Sequence, residues 1–393
     1  MGALSGIKVL DLTRVLAGPY ATMVLADLGA EIIKIEQPEK GDDSRAFGPY
    51  KNGESAYFMS INRNKESLTL NLKAPEGKEI IKEFVKKVDV LVENFRPGTM
   101  EKLGLGYDVL KEINPRLVYA SSTGYGQTGP YSQRPAYDAV VQAMGGIMSI
   151  TGQKGGEPTR VGTSIGDITA GLFCAIGVLA ALHERERSGL GQMVDVAMLD
   201  CQVAILENAI SRYEFTGEVP VPIGNRHPSI VPFEPFDTLS SPIMLAAGND
   251  RLWATLCDLM ELDIVDDPRF ATNPKRNENY NELRPILAER FLTRTAEEWQ
   301  AIFDEAGIPS GPINSVDKVV TNEQVVAREM ILEVKHPTAG DTRIPGIPIK
   351  LSRTPGEVRM AAPVLGADTE KLLQEYLGLG PEQVADLRDK HVI

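Results

Sequence analysis

The amino-acid sequence predicts an α/β protein built on an open, mostly parallel β-sheet, with a smaller α+β domain later in the chain. Three observations support this prediction: strand-like and helix-like segments alternate up to residue 126, the first of them form a compact β–α–β unit, and the pattern changes near residue 215. A β–α–β unit joins parallel strands, and its repetition is typical of a sheet with helices on its faces. Such sheets bind ligands at the carboxyl ends of their strands.

Hydrophobic patterning and turn residues define the predicted elements of the first half. Short apolar runs predict strands, amphipathic segments predict helices, and Gly29 and Pro115 each mark a helix end. In chain order the predictions are a strand at 7–12, a helix at 20–29, a strand at 30–36, a helix at 75–88, a strand at 89–95, a helix at 107–115, and strands at 116–126 and 191–199.

From about residue 215 the chain is rich in proline and lacks a regular period, which indicates a linker that enters a smaller domain. We divide the chain into a first part over 1–214, a linker and small domain over 215–315, and a last part over 316–393. The elements predicted after the linker are strands near 233–239 and 243–247, helices near 250–261, 280–293 and 296–306, short β segments, and helices near 367–377 and 380–389.

Composition favours a soluble globular protein, because 42% of the 393 residues are hydrophobic and 24% are charged. The formal net charge of −13 argues against nucleic acid or an anionic membrane surface as the main partner. Cys174, Cys201 and Cys257 are too widely spaced for a disulfide framework, so we expect buried thiols in a reducing compartment. The N-terminus lacks a signal-peptide pattern, and the longest apolar run, 171–182, is too short to span a bilayer. We therefore expect a cytoplasmic protein.

Several common catalytic motifs are missing from the sequence. The turn after the first strand reads TRVLAGP instead of GxGxxG, which disfavours an NAD-dependent enzyme. The chain has no Walker A motif, and its four histidines lack metal-ligand spacing, so we expect no metal site. Among the remaining covalent candidates, Asp167 is the best placed.

Asp167 lies in GTSIGDITAGLFCAIG, directly before a helix that is apolar on every side and is therefore predicted to be buried. The first interpretation is structural, because Asp is a preferred N-cap residue. The second is chemical: a helix N-terminus keeps a nearby carboxylate ionised, and an ionised carboxylate can attack an activated carbonyl. The residues alone leave both interpretations open.

Polar residues follow several predicted strands. Each one alone is more often a capping or surface residue, but together they are expected to line one edge of the sheet, where a phosphorylated ligand would bind. They are Arg14, Arg45, Asn94, Phe95, Arg96, Tyr137 and Asp138.

Six segments, spread along most of the chain, form a specific combination. They are LSGIKVLDLTRVLAGPYATMVLADLGAEIIKIEQPEKGDDSR, NRNKESLTLNLKAPEGKE, VENFRPGTMEKLGLGY, PAYDAVVQAMGGIMSITG, GTSIGDITAG and GNRHPSIVPFEPF. This combination resembles the class III CoA-transferases, the CaiB/BaiF type that includes formyl-CoA transferase. The resemblance implies a Rossmann-like large domain to which 316–393 return, a small domain from the middle, and a homodimer of interlocked subunits.

The resemblance also implies a mechanism. Asp167 would attack an acyl-CoA thioester to form an aspartyl anhydride, the CoA thiolate would return to form an aspartyl-CoA thioester, and an acceptor carboxylate would then receive CoA. Coenzyme A would thus enter as a substrate, with no permanently bound cofactor. The implied CoA contacts are Val15, Leu16, Ala17, Leu70 to Lys73, Asn94, Phe95, Arg96, Lys102, Tyr137 and Asp138.

Three departures from formyl-CoA transferase bear on the substrate. Leu16 stands where that enzyme has Gln, Gln37 stands where it has Arg, and GNRHPSI replaces its long glycine-rich loop. The motifs look closer to the acetyl-CoA:oxalate and succinyl-CoA:dicarboxylate branches, with acetyl-CoA:oxalate favoured. Arg226 and His227 are candidates for binding the acceptor's second carboxylate, and the alternative is a surface pair in a proline-rich linker.

Two other functions fit the same resemblance. An α-methylacyl-CoA racemase needs an acid/base pair across the α-carbon, and such racemases carry a His-Asp step where this chain has Tyr137-Asp138. The missing histidine disfavours a racemase. A non-catalytic CoA-binding protein is the other alternative, although nothing in the sequence indicates a lost site.

Overall fold

The structure, a computed structural model, describes residues 2–393. The chain forms two compact units. The larger comprises Met1–Met148, Arg160–Val219 and Glu323–Ile393, and the smaller comprises Ser149–Thr159 and Pro220–Asn322. The division at residues 214 and 315 stays a prediction about independent domains.

The strands confirm the predicted parallel sheet. They are β1 (Lys8–Asp11), β2 (Glu31–Glu36), β3 (Tyr50–Lys51), β4 (Glu54–Ser55), β5 (Lys65–Thr69), β6 (Val90–Glu93), β7 (Val118–Thr123), β8 (Met193–Ala197), β9 (Phe233–Phe236), β10 (Ile243–Ala246), β11 (Ser310–Pro312), β12 (Ile331–His336) and β13 (Gly340–Pro345). Six of them form one sheet in the order β5–β2–β1–β6–β7–β8, in which every neighbouring pair is parallel. This is the doubly wound order, and it reverses between β1 and β6, where such sheets open a ligand crevice.

The helices, in chain order, include every helix that the sequence predicted, with ends that differ by a few residues. They are α1 (Ala17–Asp27), α2 (Ala56–Ile61), α3 (Pro75–Val85), α4 (Thr99–Leu103), α5 (Tyr107–Ile113), α6 (Asp138–Met144), α7 (Ile147–Ile150), α8 (Ile165–Ser188), α9 (Met198–Ala204), α10 (Ala209–Thr216), α11 (Asp250–Leu259), α12 (Asn273–Glu278), α13 (Tyr280–Phe291), α14 (Ala296–Ala306), α15 (Val316–Val319), α16 (Glu323–Ala327), α17 (Thr369–Leu377) and α18 (Pro381–Asp389).

Helices cover both faces of the six-stranded sheet because successive strand residues point to opposite sides. Val9 and Val90 pack against α1 and α8, whereas Leu10 and Leu91 pack in a cluster with α3, α5, α17 and α18. Burial on both faces is the reason that these strands read as continuous apolar runs. The three cysteines are buried and free, as predicted.

The helix α8 differs from its prediction. It has 24 residues, more than the apolar run 171–182, and by length and composition alone it could cross a membrane, a test that core helices of soluble proteins also pass. Cys174 packs against the sheet with no exposed surface, but Leu172, Phe173 and Ile176 are 40%, 40% and 58% exposed. The prediction that α8 is buried on every side is therefore wrong for the single chain.

The smaller unit combines a three-stranded antiparallel sheet, in the order β11–β10–β9, with helices α11 to α14. Its core is aromatic: the rings of Phe236 and Phe291 stack at 4.5 Å, and those of Trp299 and Phe303 stack at 5.3 Å. The predicted strands and helices of this region are confirmed. In the larger unit, the strand β5 is among the elements that the sequence analysis did not assign.

Candidate active site

The loops after β1 and β6 are joined where the strand order reverses. The backbone N–H of Arg14 donates to Oδ1 of Asn94 at 2.9 Å, and Nδ2 of Asn94 donates to the carbonyl of Arg14 at 2.8 Å. The amide of Asn94 therefore has a structural role, which is to hold the two loops together beside the crevice. Phe95 and Arg96 follow it on the same loop.

Val15, the residue after Arg14, has an unusual backbone. Its φ is +66°, a conformation that is strained for a β-branched residue. The backbone N–H of Val15 donates to Oδ1 of Asp42 at 3.0 Å, and the same carboxylate accepts from the backbone and hydroxyl of Ser44. The position of Val15 is thus set by a side chain from another loop.

Asp42 is anchored by a buried ion pair. Lys34 Nζ lies 2.8 Å from Asp42 Oδ2 and donates to the carbonyl of Thr13, also at 2.8 Å. Burial alone would raise the pKa of Asp42, but Lys34, together with hydrogen bonds from Ser44 and Val15, holds that pKa well below its usual range. Asp42 therefore stays ionised and continues to accept a hydrogen bond from the loop after β1.

The N-terminus of α8 is capped from another helix. The residue at the N-cap position, Ser164, makes no side-chain capping bond. Instead, Oδ1 of Asp138, at the start of α6, accepts the backbone N–H of Gly166 at 2.8 Å, and Oδ2 of Asp138 accepts from Gln142 at 2.8 Å. The capping interpretation of Asp167 is therefore wrong: Asp138 does the capping, and Asp167 lies in the first turn.

The carboxylate of Asp167 accepts no hydrogen bond from residues 2–393, and it is partly exposed in a cavity. Burial, followed by the charge of Asp138, raises the pKa of Asp167 to about 7. Burial therefore acts against the helix end, which the sequence analysis expected to keep Asp167 ionised. The acid is instead a side chain whose charge changes near neutrality.

Three adjoining cavities, which we call outer, middle and inner, lie beyond the carboxyl ends of the strands. The outer cavity, of about 270 Å³, contains Leu70 and Phe95 in its lining. The middle cavity, of about 340 Å³, shares Phe95 with the outer one. The inner cavity, of about 790 Å³, shares Tyr137 and Asp167 with the middle one. The three cavities thus adjoin in the order outer, middle, inner, and Asp167 lies in the lining that the middle and inner cavities share.

Most of the predicted CoA contacts line these cavities. Leu70 and Lys73 line the outer cavity, and Asp138 lines the inner one. Lys102 lines none of the three and is exposed on α4, although its neighbours Thr99 and Leu103 line the outer cavity. The predicted contacts in the middle cavity are Val15, Leu16, Ala17, Asn94, Phe95, Arg96 and Tyr137.

Three of the predicted basic residues make their hydrogen bonds or ring contacts with protein partners. Arg45 donates twice to Glu36, at 2.7 and 2.8 Å, and so supports the end of β2. Arg226 lies in the smaller unit, where its guanidinium stacks 3.7 Å from the ring centre of Tyr280 and donates to Asn277. His227 lies beside it, and its Nδ1 accepts the backbone N–H of Ser229 at 3.1 Å. Their binding of the acceptor stays a prediction.

The chain matches the family model described as CoA-transferase family III over residues 4–369. The chain belongs to that family. It is 42% identical to the succinyl-CoA:glutarate CoA-transferase of Mus musculus, over 96% of this chain and 87% of the relative. It is 44% identical to the acetyl-CoA:oxalate CoA-transferase of Acetobacter aceti, over 95% of this chain and 96% of the relative. A CaiB/BaiF family protein from Brucella suis has a TM-score of 0.84 to it at 37% identity, covering 95% of this chain and 99% of that one.

The chain is therefore a class III CoA-transferase, which confirms the resemblance seen in the sequence. Tyr57 is among the residues of this transferase's candidate site that the sequence analysis missed. Tyr57, on α2, lines the inner cavity with Asp167. Burial raises the pKa of Tyr57, and the Asp167 charge adds to this effect. The only local signal is Ser55, whose hydroxyl accepts the backbone N–H of Phe58 and caps α2.

Proposed function

We propose that this transferase moves CoA from an acyl-CoA thioester to a short dicarboxylate, with Asp167 as the nucleophile. The observation that carries the proposal is the position of Asp167. Asp138 caps α8, so the Asp167 carboxylate is not used as a cap and accepts no hydrogen bond from residues 2–393. It lies in the lining that the middle and inner cavities share. A carboxylate in this setting is suited to covalent catalysis.

In the first half-reaction, the Asp167 carboxylate attacks the carbonyl carbon of the thioester and the carbon–sulfur bond breaks. The products are an anhydride between Asp167 and the acyl group, and free CoA thiolate. The thiolate then attacks the carbonyl carbon of Asp167, which releases the donor acid as a carboxylate and leaves an aspartyl-CoA thioester. No proton is gained or lost overall.

In the second half-reaction, the acceptor carboxylate attacks the aspartyl-CoA thioester and expels CoA thiolate. The thiolate attacks the acceptor's carbonyl carbon in the new anhydride, which gives the acceptor's CoA thioester and restores Asp167. Backbone N–H groups in the first turn of α8 would stabilise the developing oxyanions, because the N-terminus of a helix carries partial positive charge.

The cavities support a path for the CoA moiety. Lys73 at the outer cavity and Arg96 at the middle cavity are exposed cations at the entrance, suited to phosphate groups. The pantetheine arm would then run through the middle cavity, and the thioester would meet Asp167. The net charge of −13 makes these local cations more important for an anionic ligand.

The acceptor that we propose is a short dicarboxylate, with oxalate first and glutarate second. The support comes from the two relatives, which are an acetyl-CoA:oxalate and a succinyl-CoA:glutarate CoA-transferase. The substitution of Leu16 for the Gln of formyl-CoA transferase also disfavours formyl-CoA as the donor.

One reaction in deuterated water tests the proposal. Purified enzyme is mixed with acetyl-CoA or succinyl-CoA and either oxalate or glutarate, a parallel control contains a branched acyl-CoA, and the CoA thioesters are identified by mass spectrometry. The expected product is oxalyl-CoA or glutaryl-CoA, the latter without deuterium at its α-carbon, and neither product should form with Asp167→Asn. Deuterium exchange into a branched acyl-CoA without CoA transfer would contradict the proposal and indicate racemase chemistry.

We also propose that the enzyme is a homodimer. The support is the apolar face of α8, where Leu172, Phe173 and Ile176 are exposed in the single chain. Large apolar patches on a soluble protein mark association surfaces. Light scattering of the wild type should give twice the monomer mass, and Ile176→Glu should shift the protein toward monomer.

A further inference from the structure

Ser122 is a buried hydroxyl that lacks a hydrogen-bond partner. Its side chain is at the end of β7 and the residue is 3% exposed, yet its Oγ bonds to nothing among residues 2–393. Ser122 also lines the middle cavity, together with Asp167 and Arg96. Buried polar groups are normally satisfied, so an unpaired hydroxyl at a cavity requires an explanation.

The pleat of β7 shows which way this hydroxyl points. Val118 and Ala120 pack in the cluster with α8, whereas Tyr119 packs in the cluster on the other face. Ser122 has the parity of Val118 and Ala120, so its Oγ lies on the side of the sheet that α8 covers. Asp167 is in the first turn of α8, so both side chains approach the cavity from the same face.

The other neutral polar side chains near Ser122 already have partners. The Asn94 amide bonds in both directions to the backbone of Arg14. Thr123 Oγ1 accepts the backbone N–H of Gly126 at 2.9 Å. Ser121, which has the opposite parity, accepts from Gln127 at 2.7 Å on the far face. Ser122 is thus the buried neutral side chain of this lining whose polar atom bonds to nothing among residues 2–393, whereas Tyr137, which also lines the cavity, is 75% exposed.

The chemistry of the ligand follows from the path, and this step rests on the proposed function. An acyl-CoA that enters at the outer cavity and reacts at Asp167 must place its pantetheine arm in the middle cavity. That arm is a flexible chain with amide groups, and each amide offers a donor and an acceptor. A serine hydroxyl can pair with either.

We propose that Oγ of Ser122 hydrogen-bonds an amide of the pantetheine arm and so fixes how far the thioester reaches toward Asp167. In the free protein, the unpaired hydroxyl of Ser122 lowers the stability of the fold. In the complex, the substrate provides the hydrogen-bond partner of this hydroxyl. Ser122 is in this sense a binding residue, distinct from the phosphate-binding cations at the entrance.

The test compares Ser122→Ala with Ser310→Ala. Ser310 is a matched control, since its Oγ is also buried without a partner but lies in the smaller unit. Calorimetry measures the Kd of each protein for CoA, for pantetheine and for adenosine 3′,5′-bisphosphate, which lacks the arm. Ser122→Ala should weaken CoA and pantetheine binding by about five- to tenfold and leave the bisphosphate unchanged.

Thermal unfolding separates binding from a structural role. Because Ser122→Ala removes an unsatisfied polar group, its melting temperature should equal or exceed that of the wild type. Ser310→Ala should leave all three Kd values unchanged. Equal CoA affinity in Ser122→Ala and wild type would overturn the assignment, and so would an equal loss of bisphosphate binding.

The assignment and the proposed function fail in distinguishable ways. If the wild type transfers CoA but Ser122→Ala binds CoA as tightly as it does, only the assignment fails. If Ser122→Ala shows the selective loss while the wild type transfers no CoA, only the proposed function fails. A wild type that does not bind CoA would overturn both.

Discussion

Helices α8 and α14 both carry an acid at their third position, and these two acids are used differently. In α14, Glu298 accepts the backbone N–H of Thr295 at 2.8 Å, while the Thr295 hydroxyl accepts the N–H of Glu298 at 3.2 Å. In α8, the equivalent Asp167 forms no such bond, and Asp138 serves Gly166 instead. The comparison teaches that an acid becomes available for chemistry when another side chain caps its helix.

The largest expected effect concerns Asp167, the acid of α8 that is free to react. Asp167→Asn keeps the shape of the side chain but removes the nucleophile, so the rate of CoA transfer should fall by at least about 10³-fold. Burial raises the pKa of Asp167 to about 7, so ionisation costs folding free energy above that pH. The melting temperature of Asp167→Asn at pH 8 should therefore not fall below that of the wild type.

Glu298→Gln is the matched control for that experiment, because it changes an acid at the same helical position. It should keep full transfer activity. An Asp167→Asn variant that remained as active as Glu298→Gln would remove Asp167 from the mechanism.

The second effect concerns the residue that frees Asp167. The kcat/KM for acyl-CoA should rise with pH through about 7, as Asp167 ionises. Asp138→Asn keeps an oxygen for the N–H of Gly166 but removes a like charge, so this rise should move to lower pH. The measurement is a pH profile of kcat/KM for both proteins. An unmoved profile would show that Asp138 does not set the ionisation of Asp167.

The third effect extends the comparison to an acid that is buried and already used as an acceptor. Glu93 is 3% exposed and accepts the backbone N–H of Phe95 at 2.8 Å. Burial raises the pKa of Glu93 from 4.5 to about 7, although Ser121 and Phe95 oppose the shift. Its contribution to stability is full below pH 4.5 and is lost as the pH rises through 7.

Glu93→Gln should flatten that pH dependence. Urea unfolding measures the free energy of unfolding of both proteins at pH 5 and at pH 8. The variant's free energy of unfolding minus that of the wild type should be larger at pH 8 than at pH 5, by up to about 3 kcal/mol. Glu333→Gln, at an exposed position, should track the wild type. Parallel behaviour of Glu93→Gln and the wild type would contradict the prediction.

The smallest expected effect concerns the capping box of α14, in which the acid has a structural role. Thr295→Ala removes one half of the capping box of α14, so the free energy of unfolding should fall by about 1 kcal/mol. The kcat for CoA transfer, measured at a temperature where the variant stays folded, should be unchanged. A loss of kcat would show that α14 matters for catalysis and is not a structural reference.

The strands differ in how far the sequence predicted them. The apolar runs of β1, β2, β6 and β7 were enough, because both faces of these strands are buried. β5 was missed because its sequence, KESLT, reads as polar, although Lys65 and Ser67 are 1% and 0% exposed. Lys65 Nζ donates to Asp11, Asn62 and the Pro19 carbonyl, at 2.8 to 3.0 Å. Asp11 and Pro19 lie 54 and 46 residues from Lys65 in the chain, so these contacts leave no local pattern.

The sequence also predicted the candidate site only in part. Motif matching led to Asn94, Phe95, Tyr137 and Asp167, all of which line the middle cavity. It could not reveal that the Asn94 amide is occupied by the Arg14 backbone, since that contact spans 80 residues. Motif matching can also name a residue that does not line the site. The segment around Lys102 matches the family, yet the side chain of Lys102 lies outside the three cavities.

The sequence by itself determined the alternation of strands and helices and the position of an acid at the start of an apolar helix. Both depend on patterns within a few residues, such as the repeat of apolar positions. Only the tertiary structure decided that Asp138 caps α8 across 28 residues and that Asp42 holds Val15 at a φ of +66°. Such bonds form between groups that only packing brings together, and packing here decides which acid is structural and which is free to react.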